Sequence, residues 1–217
     1  MKPLIVLLTD FGYRDPYVGV MKGVIKSINP TAEIIDLTHG VTRHDILEAA
    51  VTLLVSARYF PRNTIFVCVV DPGVGSERRA LLIKTRNYYL VGPDNGCLTL
   101  LADFDGVESV IDISETPFSL REKSYTFHGR DLFAPVAAYL SLGYNPSMLG
   151  RLISYDQVVK ISIPKPQVKD DSIEASVLYI DIYGNVMTNI TSDLVEKLGF
   201  KLNETLTVKT TERIAKC

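Results

Sequence analysis

The chain has 217 residues, of which 47% are hydrophobic, and its formal net charge is -2. This size and composition suffice for a large domain with a sizeable core, alone or with a smaller partner domain. The chain carries no basic block of the kind that follows a phosphate backbone, so nucleic-acid binding is not expected. Its apolar runs fall short of the roughly 18–20 residues that span a bilayer, so no membrane partner is expected either.

Patterns typical of strands and helices alternate along most of the chain. Strands are predicted in PLIVLLTD, EIIDLTHG and TIFVCVVD, and the helices between them in YVGVMKGVIKSINP and RHDILEAAVTLLVSARYF. Two strands joined by a turn at RN follow in ALLIKT and YYLVGPDNG, then a strand in GVESVIDI and a helix in RDLFAPVAAYLSLG. Alternation of this kind predicts an α/β domain whose parallel sheet has both faces covered.

The composition changes near ISIPKPQVKDDS, where prolines and charged residues replace large apolar ones. A stretch of this kind is typical of a linker between domains. Beyond it, β-branched and aromatic residues predominate, which favours strands. We therefore expect an N-terminal α/β domain over residues 1–163, a linker over 164–171 and a β-rich C-terminal domain over 172–217.

The three cysteines, Cys68, Cys97 and Cys217, are scattered and show neither a metal-ligand spacing nor a disulfide framework. A reducing cytoplasm is the compartment that this usage favours. The sequence also lacks the HxH and HExxH motifs of metal-dependent hydrolases. A site without a metal is therefore favoured, and a metal-dependent phosphoester or nucleotide hydrolase is kept as an alternative.

Polar loops follow the predicted strands. TDFGYRDPY, DLTHGVTRHD, DPGVGSERR and GPDNG each come after a strand, and SYTFHGRD precedes a helix. Because the carboxyl ends of parallel strands share one rim of a sheet, these loops together predict one binding site. Each loop alone also fits ordinary turn chemistry, and Asp10 alone fits a helix cap.

His128 is the histidine with the strongest chemical context. An imidazole can act as a base near neutral pH, and the adjacent Gly129 permits a ligand to approach the backbone. A buried structural histidine is the alternative. For His39 and His44, in the second loop, an ordinary polar loop position is at least as well supported as a catalytic one.

Six motifs in order resemble the S-adenosyl-L-methionine (SAM) hydroxide adenosyltransferases, the water-using relatives of fluorinase and chlorinase. They are TDFGYRDPYVGVMKG, DLTHGVTRHDI, VVDPGVGSERRA, GPDNGCLTLL, TFHGRDLFAPVAA and YIDIYGNVMTNI. The resemblance implies a mainly parallel N-terminal sheet, a smaller β-barrel-like C-terminal domain, and a homotrimer with sites at subunit interfaces. It also implies that SAM and water give adenosine and L-methionine with no cofactor, and that some members prefer the (R)-sulfonium epimer.

The family's catalytic residues map onto Asp71, Arg78 and His128. Asp71 and His128 would hold and polarise the attacking water, while Arg78 would stabilise hydroxide character and keep Asp71 ionised. The group that takes the proton is left open. Halogenases carry a tyrosine at the position of Asp71 and a serine at that of Gly129, so water is favoured over halide as the nucleophile.

The resemblance also implies substrate-binding residues. They are Asp10, Asp15, Tyr17, Asp94, Asn95, Gly129, Asp181, Tyr183 and Asn185. Asp10 would accept from both ribose hydroxyls, and Asp15 with Tyr17 would lie near the methionine amino group. Asp181 would do the same from the second domain, while Tyr183 would stack on adenine and Asn185 would bond its edge.

Family members continue for several tens of residues beyond the position of Cys217. The C-terminal domain is therefore expected to be incomplete. On that ground a protein that binds SAM or adenosine without turning it over is a second interpretation, beside hydrolysis and the metal-dependent alternative.

Overall fold

The computed structural model describes residues 3–169, 172–199, 207–209 and 214–216. The chain divides into two compact units, Met1–Ser162 and Ile163–Cys217. The predicted linker limits of 164–171 stay a prediction.

The first unit contains the elements expected of an α/β domain. In chain order they are β1 (Leu4–Thr9), α1 (Tyr17–Ile28), β2 (Glu33–Thr38), α2 (Ile46–Ala57), β3 (Ile65–Val69), β4 (Ala80–Thr85), β5 (Tyr89–Pro93), α3 (Thr99–Asp105), β6 (Val107–Asp112), a π-helical turn (Gly129–Phe133), α4 (Ala134–Ser141), a 3-10 turn (Pro146–Met148), β7 (Arg151–Ile153) and a second 3-10 turn (Tyr155–Gln157).

Its strands form one seven-stranded sheet in the order β2-β1-β3-β5-β4-β6-β7. The neighbours from β2 to β5 pair in parallel, whereas β5-β4, β4-β6 and β6-β7 pair antiparallel. The expectation of an α/β sheet is confirmed, but the sheet is mixed. The turn between β4 and β5 is too short for a crossover, so these two strands can pair only antiparallel.

Helices cover both faces of this sheet. Alternate residues of β1 serve opposite faces, since Ile5 packs with α1 and α4 while Val6 packs with α2 and α3. The predicted apolar stripe of α1 is confirmed, with Val18, Met21 and Ile25 buried. This double covering fixes the strand ends on which the polar loops are mounted.

Two helix starts lie in the polar motifs. Asp45 caps α2 by accepting from the Glu48 backbone N–H at 2.8 Å, a contact that contributes about 1 kcal/mol to such a helix. The predicted helix after SYTFHG begins as the π-helical turn that leads into α4. Its buried Asp131 accepts from the backbone N–H of Ser124 at 2.7 Å, which fixes the loop that precedes the turn.

The second unit consists of hairpins and one short helix. Its elements are β8 (Gln167–Lys169), β9 (Ser172–Glu174), β10 (Val177–Ile180), β11 (Val186–Thr188), α5 (Ser192–Lys197), β12 (Thr207–Lys209) and β13 (Ile214–Lys216). In the described part of this unit the strands pair two by two and antiparallel, as β8-β9, β10-β11 and β12-β13. A barrel-like closure stays a prediction.

None of the helices within the described ranges is long and apolar enough to cross a membrane.

Candidate active site

A pocket of about 390 Å³ opens at the carboxyl ends of β1 and β3. These strands are parallel neighbours, so the loops that follow them meet at one edge of the sheet. The residues that line it are Asp10, Phe11, Asp15, Tyr17, Arg43, His44, Val69, Asp71, Val74, Thr126, Phe127, His128 and Gly129. They come from four of the five polar loops, while GPDNG contributes none of them.

Asp71, Arg78 and His128 meet at the wall of this pocket. The Arg78 guanidinium donates to both Asp71 carboxylate oxygens, from Nε to Oδ1 at 2.8 Å and from Nη2 to Oδ2. Its Nη2 also lies 2.9 Å from Nδ1 of His128. Asp71 and His128 line the pocket, whereas Arg78 is not among the lining residues. Arg78 therefore holds the two pocket-facing groups from behind.

The contact with Arg78 determines the tautomer of His128. A guanidinium can only donate, so Nδ1 of His128 must accept, and the ring hydrogen of the neutral imidazole is then on Nε2. Burial lowers the pKa of His128 below its ordinary value of 6.5, and the positive charge of Arg78 lowers it further. At neutral pH this imidazole is uncharged and presents an N–H donor at Nε2.

The loop that carries Asp71 and the loop that carries His128 touch at Gly75. Gly75 has a φ of +78°, and a Cβ there would clash with the carbonyl oxygen of Tyr125. Only glycine combines this left-handed backbone with so close an approach. The second glycine of DPGVG thus allows the loops that carry Asp71 and His128 to approach each other closely.

The second polar loop, DLTHGVTRHD, holds the Asp10 carboxylate in place. Its Oδ2 accepts from the backbone N–H of His44 at 2.9 Å. His44 has a φ of 66°, a conformation that is uncommon for residues other than glycine. The strained backbone at His44 directs its N–H at Asp10, which leaves Oδ1 of this carboxylate for a ligand.

Three aromatic rings form the apolar wall of the pocket. Tyr17 and Phe127 contact edge to face with centroids 5.0 Å apart, and Phe11 lies 5.6 Å from Tyr17 and 5.8 Å from Phe127. A Cβ at Gly129 would come within 3.2 Å of Phe127. The small residue at position 129 therefore sets the position of the Phe127 ring as well as the access of a ligand.

Asp94 and Asn95 are engaged within the fold. Asp94 is buried, accepts from Arg79 Nε at 2.8 Å through Oδ2, and accepts from the Val159 N–H at 2.8 Å through Oδ1. Asn95 donates from Nδ2 to the carbonyl oxygen of Val70 at 2.8 Å. Neither is among the pocket-lining residues, and their substrate-binding role stays a prediction.

The three predicted residues of the second unit lie in one tight turn between β10 and β11. Asp181 accepts at Oδ1 from the backbone N–H of Tyr183 and of Asn185, each at 2.9 Å, and at Oδ2 from the Asn185 amide at 2.6 Å. These hydrogen bonds lower the pKa of Asp181, the side-chain bond from Asn185 most of all. The Tyr183 ring is 85% exposed and free to stack.

Several lining residues were not predicted as site residues from the sequence. They are Phe11, Arg43, Val69, Val74, Thr126 and Phe127, and His44 was interpreted at least as readily as an ordinary loop residue. All but Val69, the last residue of β3, lie inside the quoted loop motifs. Only Phe11 and Phe127 are adjacent to a predicted site residue, and adjacency could not say which neighbours face inward.

The described ranges contain no group of three or more His, Cys, Asp or Glu side chains arranged to hold a metal ion. Metal independence stays a prediction.

Each of the two units matches a domain model of the same protein family. A family model of the SAM hydroxide adenosyltransferase N-terminal domain matches residues 5–150, and one of the C-terminal domain matches residues 175–217. Over an alignment of 226 residues, the chain is 39% identical to a protein named (R)-S-adenosyl-L-methionine hydrolase from Methanocaldococcus jannaschii. The alignment covers 99% of this chain and 78% of that protein.

Two further similarities extend this result. The chain is 28% identical over 222 residues to a fluorinase from an Actinoplanes species, covering 91% of this chain and 74% of the fluorinase. The structure matches that of an uncharacterized conserved protein from Thermotoga maritima with a TM-score of 0.91 and 40% identity, covering 98% of this chain and 81% of that one.

Proposed function

The chain belongs to the SAM hydroxide adenosyltransferase family, and we propose that it hydrolyses S-adenosyl-L-methionine to adenosine and L-methionine. The observation that carries this proposal is the contact of Arg78 with both Asp71 and His128 at the wall of a pocket that also contains Asp10. Because the relative from Methanocaldococcus jannaschii is named for the (R) epimer, we propose the (R)-sulfonium form as the preferred substrate.

The step of this reaction that needs most help from the protein is activation of the nucleophile. The oxygen of water attacks C5′ of the adenosyl group in line with the C5′–S bond, whose electron pair leaves with sulfur. Methionine departs as a neutral thioether, so the leaving group needs no proton. Water is a weak nucleophile, and the site must orient it and remove one proton.

The geometry supports different roles for the two pocket-facing groups, His128 and Asp71. His128 presents Nε2–H and can donate to the water oxygen, which fixes its position, because its Nδ1 is occupied by Arg78. The Asp71 carboxylate then accepts the proton. Arg78 holds Asp71 by two parallel hydrogen bonds, which aligns the carboxylate without blocking every lone pair.

Substrate binding follows from the other residues of the pocket. Asp10, held by His44, would accept from the ribose hydroxyls, and Asp15 with Tyr17 would lie at the methionine amino end. Asp94 and Asn95 would act on the substrate only indirectly, by holding the loop in which they lie.

A homotrimer with shared sites is part of the proposal. The turn between β10 and β11 exposes apolar and aromatic side chains, with Ile182 91% and Tyr183 85% exposed. We propose that these exposed side chains contact another copy of the chain. Tyr183 and Asn185 of one copy would then meet adenine bound to another copy, which light scattering can test through the subunit number. Location in the cytoplasm also stays a proposal.

The test is incubation of the chain with a mixture of both sulfonium epimers and EDTA, followed by chromatography. We expect adenosine and methionine in equal amounts, with the (S) epimer left behind. Activity that EDTA abolishes would indicate a metal-dependent hydrolase instead. Adenosine that binds in calorimetry without any turnover of SAM would indicate a binding protein.

A further inference from the structure

We propose that His39, which lies outside the pocket, is a positioning residue that holds Asp10 and Phe11 in place through Thr9. The proposal rests on the proposed function in one respect: Asp10 and Phe11 matter because the pocket receives the adenosyl group. His39 belongs to the DLTHG motif, whose histidine has no part in the water-activating cluster.

Thr9, His39 and Asp36 form a linear chain of polar contacts beneath the pocket. Nδ1 of His39 lies 2.8 Å from Oγ1 of Thr9, and its Nε2 lies 3.1 Å from Oδ1 of Asp36. The Thr9 residue and the His39 side chain are both 0% exposed. A fully buried imidazole cannot touch the substrate, so any effect on catalysis has to pass through its neighbours.

Two hydrogen bonds of this chain share the Thr9 hydroxyl. The Phe11 backbone N–H donates to Oγ1 of Thr9 at 3.2 Å, so the Thr9 hydroxyl hydrogen is free to point at Nδ1 of His39. With Nδ1 as the acceptor, His39 satisfies Thr9, whose Oγ1 in turn satisfies the Phe11 N–H. The Nε2 atom of His39 faces Oδ1 of Asp36 at 3.1 Å as a charge contact, without the geometry of a hydrogen bond.

Asp36 anchors the far end of the chain. Its Oδ2 accepts from Lys22 Nζ at 2.6 Å and from the Tyr13 hydroxyl at 3.0 Å. Burial acts to raise the pKa of Asp36, but the contacts with Lys22, His39 and Tyr13 outweigh it, and the pKa is lowered. The negative charge of Asp36 lies beside Nε2 of His39, and this contact favours one orientation of the ring.

His39 also holds the pocket loop through its backbone carbonyl group. Its carbonyl oxygen accepts from the Gly12 N–H at 2.7 Å, while its side chain reaches Thr9. Asp10 and Phe11 are the two residues between these points, and both line the pocket. Loss of the Thr9 contact would remove one side-chain restraint on this segment. The pairing of Thr9 with β3 and the His44 contact with Asp10 would remain, so the Asp10 carboxylate and the Phe11 ring would be less precisely positioned.

The two amide replacements of His39 separate the contacts. In His39→Asn the side-chain oxygen can take the place of Nδ1 and accept from Thr9. In His39→Gln the amide nitrogen can take the place of Nε2 and reach Asp36, but the acceptor for Thr9 is lost. Thr9→Val removes the same hydrogen bond from the other side with little change of shape, and it also removes the acceptor of the Phe11 N–H.

The experiment measures the Kd of adenosine by calorimetry, kcat and KM for SAM, and Tm for each variant. We expect Thr9→Val and His39→Gln to raise Kd and KM about five- to tenfold, as loss of one hydrogen bond predicts, and to change kcat by less than about threefold. His39→Asn should stay within about threefold of the wild type in Kd, and the double variant Thr9→Val with His39→Gln should be no worse than Thr9→Val alone.

Ser141→Ala is the matched control, because Ser141 accepts another buried side-chain hydrogen bond, from Asn29 Nδ2 at 2.8 Å, outside the pocket lining. It should lower Tm and leave Kd unchanged. Equal Kd values for His39→Asn and His39→Gln, an unchanged Kd for Thr9→Val, or a fall in kcat alone would overturn the proposal. Because Kd is measured without turnover, a wild-type chain that binds adenosine but leaves SAM intact would refute the proposed function and still decide the role of His39.

Discussion

Two adjacent arginines, Arg78 and Arg79, each bind one aspartate. The two ion pairs have the same chemistry but different surroundings. Arg78 donates to both oxygens of Asp71, and Arg79 contacts Oδ2 of Asp94 through Nε and Nη2, each at 2.8 Å. In each pair the carboxylate is buried, with side-chain exposures of 5% for Asp71 and 2% for Asp94.

The pairs differ in what lies beyond the carboxylate. Asp71 faces the pocket and shares its arginine with His128, whereas Asp94 accepts from the backbone N–H of Val159 and ties a loop to the sheet. The ion pair beside the pocket is the one to which we assign a catalytic role, whereas we expect its neighbour to stabilise the fold.

The largest effect is expected from Asp71→Asn. An amide cannot accept a proton from water, so kcat should fall by about a thousandfold, within the range that general bases contribute. The Kd of adenosine should change by less than about threefold, since Asp71 acts on the nucleophile. Turnover by chromatography and binding by calorimetry measure the two quantities. A variant that keeps its kcat would show that another group takes the proton.

Arg78→Met and Arg79→Met compare the two pairs directly. Arg78→Met should lower kcat by about a hundredfold, because Asp71 and His128 lose the group that aligns them. Arg79→Met should keep kcat within about threefold and lower Tm, because it leaves buried Asp94 without its charged partner. Kinetics and thermal unfolding of the two variants provide the check. Equal losses of kcat would abolish the distinction drawn between the pairs.

Gly75→Ala tests the approach of the two catalytic loops. The added Cβ would clash with the Tyr125 carbonyl, so we expect kcat to fall by about tenfold as the loops separate. Gly143→Ala is the matched control, because Gly143 also has a positive φ, of +92°, but nothing lies within 4 Å of its Cβ position. Both variants should lose about 1 kcal/mol of stability because of the positive φ, and Gly75→Ala should lose more because of the clash. A loss of kcat in Gly143→Ala as well would attribute the effect to destabilisation.

The smallest effect is a shift in pH dependence. Since burial and Arg78 lower the pKa of His128 below 6.5, the neutral form persists to lower pH, and kcat should fall only below about pH 6.5. The same lowered pKa gives a stability contribution that is complete above 6.5 and is lost as pH falls through the folded-state value. Arg78→Met should move the midpoint of the kcat profile upward, and Arg79→Met should leave it in place. The reverse order would contradict the assignment.

Much of the first unit could be predicted from its sequence. Apolar runs and helical periodicity located β1 to β3 with α1 and α2, and the rule that sites form at the carboxyl ends of parallel strands predicted the rim on which Asp10 and Asp71 lie. The mixed half of the sheet was harder, because an apolar run does not encode strand direction. The helix α3 went unpredicted because it has only seven residues and no side-chain cap.

The candidate site shows the same limit at the level of single side chains. Arg78 and Arg79 are chemically identical and adjacent, so composition and spacing cannot tell which one meets Asp71. The resemblance gives Asp94 and Asn95 a substrate-binding role, and the hydrogen bonds that they make within the fold leave that role a prediction. The inward orientation of Arg43 and Phe127 depends on how the loops fold, which a local pattern does not contain.

The measurement that tests the central claim most directly is hydrolysis of SAM in water enriched in oxygen-18, with mass spectrometry of both products. Attack of water at C5′ with Asp71 as the base predicts that adenosine carries the heavy oxygen at O5′ while methionine carries none. Asp71→Asn should form about a thousandfold less of this labelled adenosine in the same time. Unlabelled adenosine, label in methionine, or an undiminished rate of labelled adenosine in Asp71→Asn would contradict the account.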